Sequence, residues 1–105
     1  MHTRIVTMKL KANPAGEFTR IIENDVLPLL RKHRGFRDEI TCLAPERSEA
    51  VGISFWDTKA DAETYNRSGY QDVLKALSGA VQGTPNVETF EVANSTFHKI
   101  AAKGA

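Results

Sequence analysis

Polar and apolar positions alternate at the start of the chain. Arg4, Val6, Met8 and Leu10 fall on one side, and Thr3, Ile5, Thr7 and Lys9 on the other. A period of two over residues 3–11 predicts a strand with one strongly apolar face. Asn13-Pro14-Ala15-Gly16 breaks it, and Asn13 before Pro14 suits a helix N-cap with proline at the first position. From Glu17 the period lengthens. Phe18, Ile21, Ile22, Val26, Leu29 and Leu30 share an arc of about 180° at 100° per residue, the stripe of a helix packed on a sheet. Pro28 lies inside that helix and removes the partner of the Asn24 carbonyl, which predicts a kink near Asn24-Asp25. Gly35, after the basic turn Arg31-Lys32-His33-Arg34, suits the residue just past the helix end.

Two strands follow, Phe36 to Leu43 and Ala50 to Trp56, joined by the turn-prone Ala44-Pro45-Glu46-Arg47-Ser48. Thr58 with Asp61 three residues on resembles a capping box and opens a second helix. That helix is expected to break at Ser68-Gly69 and restart, with Tyr70, Val73, Leu74, Leu77 and Val81 on one narrow face. Gly83-Thr84-Pro85-Asn86 reads as the next breaker. A last alternating stretch begins at Val87, includes Phe90 and Val92, and is expected to extend as far as His98.

The order βαββαβ folds most simply as a four-stranded antiparallel sheet with two helices on one face, the ferredoxin-like α+β arrangement. Residues 1–100 are read as one such domain and 101–105 as a frayed C-terminal tail. Every strand carries apolar residues on both sides: Ile5 with Val6, Ile40 with Cys42 and Leu43, Phe55 with Trp56, and Phe90 with Phe97. One layer of helices covers one face, so a homodimer through the helix-free faces is expected.

Composition narrows the partners. Across 105 residues, 14 Lys+Arg against 13 Asp+Glu leave a net charge of +1, with no charge run. Neither nucleic acid nor membrane is expected as a partner. The start of the chain has no signal-like apolar stretch, and the expected compartment is cytoplasmic. The one cysteine, Cys42, excludes an intramolecular disulfide and reads as an inert, half-buried strand residue rather than a nucleophile. His2 and His98 give no metal-ligand spacing, and H-x-x-x-H, C-x-x-C and glycine-rich phosphate loops are lacking. No metal and no cofactor are expected.

Gly35-Phe36 after a helix carrying Leu27-Pro28-Leu29, then Ser54-Phe55-Trp56-Asp57-Thr58-Lys59-Ala60, then Tyr65 and Ser68, resemble the antibiotic biosynthesis monooxygenase family of the dimeric α/β-barrel superfamily. The residue-level match is confined to about residues 27–77. The resemblance implies paired ferredoxin-like sheets and a pocket between helices and sheet in each protomer. It implies oxidation of polycyclic phenols or quinols by molecular oxygen without metal or flavin. Sister families with the same strand-Trp-turn-helix pattern include stress-responsive barrels with no known chemistry, so a non-catalytic dimeric ligand-binding protein is the alternative. Haem-degrading relatives carry an iron-ligating His and an Asn near positions held here by Lys75 and Met8, and neither residue can replace its counterpart.

The resemblance makes Trp56, at the end of the third strand, the first candidate to stack on a ligand; the other reading is a core tryptophan sealing the strand-helix corner. Tyr65 and Tyr70 offer phenols to a substrate oxygen or pack as helical aromatics. Met8 is placed at the pocket. Asn66 offers a donor to a substrate carbonyl or lies on the surface. His33 is a candidate base or a partner of the helix dipole. No unambiguous catalytic base emerges.

Overall fold

Four strands and two helical connections alternate along the chain, of which the computed structural model describes residues 1–12 and 15–97. The strands are β1 (His2–Leu10), β2 (Phe36–Ala44), β3 (Glu49–Trp56) and β4 (Val81–Glu91). They form one antiparallel sheet in the order β2-β3-β1-β4. The first connection holds α1 (Ala15–Ile21), a π-helical turn (Ile22–Val26) and α2 (Leu27–Arg31); the second holds α3 (Lys59–Ser68) and α4 (Tyr70–Leu77). This is the ferredoxin-like α+β fold. The Asn13-Pro14 cap, His98 and the tail at 101–105 lie outside the described residues.

The kink expected near Asn24-Asp25 is a widened turn. The Leu27 N–H donates to the Ile22 carbonyl, one residue further back than in an α-helix, directly before Pro28. An α-helix advances a step of four residues by 400°, so a row at 18, 22, 26 and 30 would drift around the axis. The wider turn corrects the drift, and Phe18, Ile22, Val26 and Leu30 are all buried against the sheet. The helix ends at Arg31, and Gly35 lies beyond it at φ +82° in the turn into β2, not directly past the cap. Thr58 caps α3 as expected, its Oγ accepting from the Asp61 N–H at 3.0 Å. The break at Ser68-Gly69 separates α3 from α4.

Four expectations need correction. Val81 belongs to β4, opposite Leu10, rather than to the preceding helix. Gly83-Thr84-Pro85-Asn86 does not end an element: it is a bulge within β4. Thr7 faces Asn86 and Lys9 faces Gln82, so β4 uses four residues where β1 uses two. Gly83 absorbs the bend at φ +72°, and Pro85 sits where a ladder N–H is not required. The strand stops at Glu91, which pairs with His2, and the Val92 N–H donates to the Met1 carbonyl, so the alternating stretch does not continue as strand towards His98. Cys42 is exposed, not half-buried, on β2 at the sheet edge.

The helix-free face carries Ile5, Ile40, Ile53, Phe55 and Phe90, with Ile40 and Phe90 40% and 48% exposed. Phe97 returns over it and meets Phe55 edge-on, at 6.4 Å between ring centroids. On the covered face, Gly69 allows the two connections to approach: a Cβ there would overlap the His33 ring and lie 2.9 Å from Tyr65 Cδ1. Gly69→Ala should therefore cost roughly 2 kcal/mol, the scale of an overpacked core. Gly16→Ala, with nothing within 4 Å of the new methyl, should be neutral or stabilising by up to about 1 kcal/mol. Urea unfolding of both variants checks the pair.

Candidate functional site

The antiparallel register arranges side chains beneath the helices in transverse rows. One row runs His2, Trp56, Phe36; the next runs Thr89, Arg4, Ser54, Glu39; the third runs Val87, Val6, Gly52, Thr41. Polar residues in the middle row and the missing side chain at Gly52 together create a hollow. An ideal Cβ on Gly52 would lie 3.6 Å from Met8 Cε and 3.8 Å from a Glu39 carboxylate oxygen, so Gly52 is the floor and those two groups are its rim. The walls are apolar: Ile22, Val26 and Leu30 from the first connection and Val73, Leu74 and Leu77 from α4. Pro85 of the β4 bulge closes one side. The inner volume is about 50 Å³, and about 490 Å³ is counted when the open mouth is included.

Arg4 borders the hollow and is 2% exposed. One guanidinium N–H group, Nη1, donates to Asn66 Oδ1 at 3.1 Å. The other, Nη2, is shielded from solvent and has no hydrogen-bond partner, and Arg4 forms no ion pair among the described residues. Its charge rests instead on aromatic faces, 4.6 Å from the Tyr70 ring centroid and 5.2 Å from that of Tyr65. Burial pushes the Tyr65 phenol strongly up, with the Arg4 charge acting against the rise, and raises Tyr70 in the same way. Both phenols are neutral donors at physiological pH. Burial also raises the Glu39 carboxyl, partly offset by the hydrogen bond that the Thr41 hydroxyl donates to it. Raised basicity makes Glu39 a better proton acceptor than an ordinary surface carboxylate.

Of the sequence candidates, Tyr65, Tyr70 and Met8 line the hollow together. Trp56 does not. It is fully buried, stacked on Tyr65 at 4.8 Å and 27°, edge-on to Phe36, with its indole N–H donating to Ser54 Oγ at 2.9 Å. Every face of the ring already has a protein partner, and the indole supports Tyr65. His33 also stands behind Tyr65, edge-on at 5.1 Å, and is absent from the lining. Asn66 is exposed on α3 and reaches the site only through Arg4. Arg4 and Glu39 are the residues that the sequence reading passed over. The available signal was a charge at position 4 on the apolar side of a strand.

Among the described residues no cluster of three or more His, Cys, Asp or Glu side chains is placed to hold a metal, and no helix is long and apolar enough to cross a membrane.

No family model and no curated protein matches this chain. Solved structures do match in fold. An antibiotic biosynthesis monooxygenase, so named as putative, from Bordetella bronchiseptica superposes with a TM-score of 0.73 at 14% identity, covering 87% of this chain and 95% of that one. SnoaB, a cofactor-independent oxygenase from Streptomyces nogalater, gives 0.72 at 15% identity, covering 90% and 95%. The ActVA-Orf6 monooxygenase of Streptomyces coelicolor, solved with nanaomycin D, gives 0.69 at 16% identity, covering 85% and 84%. The shared property is the fold.

Two substitutions test the site as built. Trp56→Phe should cost roughly 2 kcal/mol in urea unfolding, from the void and the lost indole hydrogen bond. Glu39→Gln should act with pH. A carboxyl raised on folding is penalised once it ionises, so stability falls as pH rises from the unfolded value near 4.5 through the folded value, and the penalty persists above. The Gln variant should therefore melt above the parent at pH 7, and the gap should close below pH 4.

Proposed function

We propose that this protein is a homodimeric oxygenase that takes a planar phenol or quinol into the hollow and oxidises it with molecular oxygen, without metal or flavin. The observation that carries the reading is the hollow over Gly52, apolar on its walls and lined also by Arg4, Tyr65, Tyr70 and Glu39. The names of the solved structures sharing the fold support it, including one called a cofactor-independent oxygenase and one monooxygenase solved with the ligand nanaomycin D.

The chemistry asks little of the protein. Loss of the phenolic proton places electron density on a ring carbon, which reduces oxygen and forms a carbon–peroxide bond. Protonation and loss of water then leave a carbonyl, so that phenol and oxygen give quinone and water. The substrate supplies all the electrons. Glu39 is the group placed to take the phenolic proton, and the apolar walls keep bulk water from the reactive carbon.

The dimer follows from the half-exposed apolar face. Ile40, Phe90 and Phe97 are 40%, 48% and 51% exposed on one protomer, and a second copy would cover them.

Oxygen-electrode measurements with naphthols and anthrols, with chelator present and no flavin added, should show protein-dependent uptake matched one-to-one by quinone. Gly52→Leu, which fills the hollow from its floor, should abolish uptake while the protein stays folded. Binding without any oxygen consumption would favour the non-catalytic reading. Light scattering at micromolar concentration should give about twice 11.6 kDa, and a soluble monomer that binds no apolar dye would rule the dimer out.

A further inference from the structure

We infer that the hollow is a receptor for an aromatic anion, and that Arg4 Nη2 is the group that binds its charged oxygen. The inference rests on the ligand reading of the hollow and adds the charge of what enters.

Arg4 is a permanent cation. It is 2% exposed, forms no ion pair and leaves Nη2 without a hydrogen-bond partner among the described residues. An unpaired buried charge is costly, and the two tyrosine faces compensate only part of it. The groups around it do not supply the missing negative charge. Burial holds Tyr65 and Tyr70 in their neutral forms, and Ser54 and Asn66 are neutral amino acids. Glu39, the carboxyl on the same row, lies one strand beyond Ser54 and is itself disfavoured as an anion by burial.

The site therefore has an excess positive charge and an open donor, next to walls that suit a flat hydrocarbon. A ring bearing an ionised oxygen satisfies both at once. Its oxygen would accept from Nη2 and neutralise the guanidinium, and its ring would lie against the apolar walls. Arg4 lines the hollow, so a group that enters it comes up against this residue. A carboxylate and an ionised enol share this chemistry.

Calorimetric titration under anaerobic conditions tests the inference without requiring turnover. The probes are naphthoate, its neutral isostere naphthamide, and the anion of a hydroxynaphthoquinone. Naphthoate, the quinone anion or both should bind the unaltered protein at least roughly tenfold more tightly than naphthamide, as a charged hydrogen bond to a buried donor implies, and which of them does distinguishes a carboxylate from an enolate. Arg4→Met, which keeps the apolar stem, should bring the anions to the level of naphthamide. Equal binding of naphthamide and both anions to the unaltered protein would overturn the anion inference alone, as would an undiminished preference in Arg4→Met. Failure of all three probes to bind at millimolar concentration would overturn the ligand reading with it. Anion preference without oxygen uptake would uphold this inference and reject the oxygenase.

Discussion

The stack of Trp56 on Tyr65 is the contact on which the arrangement of the site depends. Trp56 is fixed to the sheet by its position at the end of β3 and by its hydrogen bond to Ser54. Tyr65 is fixed to α3, so the ring pair sets the height and rotation of that helix over the sheet. His33 presses on the far side of Tyr65, and Gly69 leaves the space for it. With α3 so placed, Tyr65 and the following Tyr70 both come to lie over Arg4. The tryptophan thus acts on the hollow at one remove, by holding the residue that lines it.

The order and type of the elements were legible because each rests on a local signal. Alternation marked β1, Thr58 marked the start of α3, and Ser68-Gly69 marked its end. What was misread was settled by pairing between distant segments. The string Gly83-Thr84-Pro85-Asn86 has the composition of a loop, and only its alignment with Thr7 and Lys9 makes it a bulge. Val81 fits a helical face and a strand equally well, and the Lys11 N–H on the Ala80 carbonyl shows which neighbour claims that segment.

The site was legible in part for the same reason. Tyr65, Tyr70 and Met8 were identifiable as aromatic or apolar groups near one helix-sheet boundary. Trp56 was identifiable as one of two alternatives, and the occupation of its faces is a property of three elements at once, β2, β3 and α3. Glu39 has no distinguishing neighbours in sequence. It joins Arg4 only through the register of two strand pairs, β1 with β3 and β3 with β2. Cys42 looked half-buried from its alternating strand, but an edge strand over an uncovered face gives it nothing to be buried under.

The π turn at Ile22–Val26 bears on how such a chain tolerates change in length. A widened turn is equivalent to one extra residue lodged inside an otherwise regular helix. Removing a residue there would restore ordinary helical winding without breaking the helix. Phe18 and Leu30 would then stand eleven steps apart, about 20° past three regular turns, and would still share the face on the sheet. The exposed residues Glu23, Asn24 and Asp25 are therefore where this helix can lose one residue and keep the rest of its buried row in register.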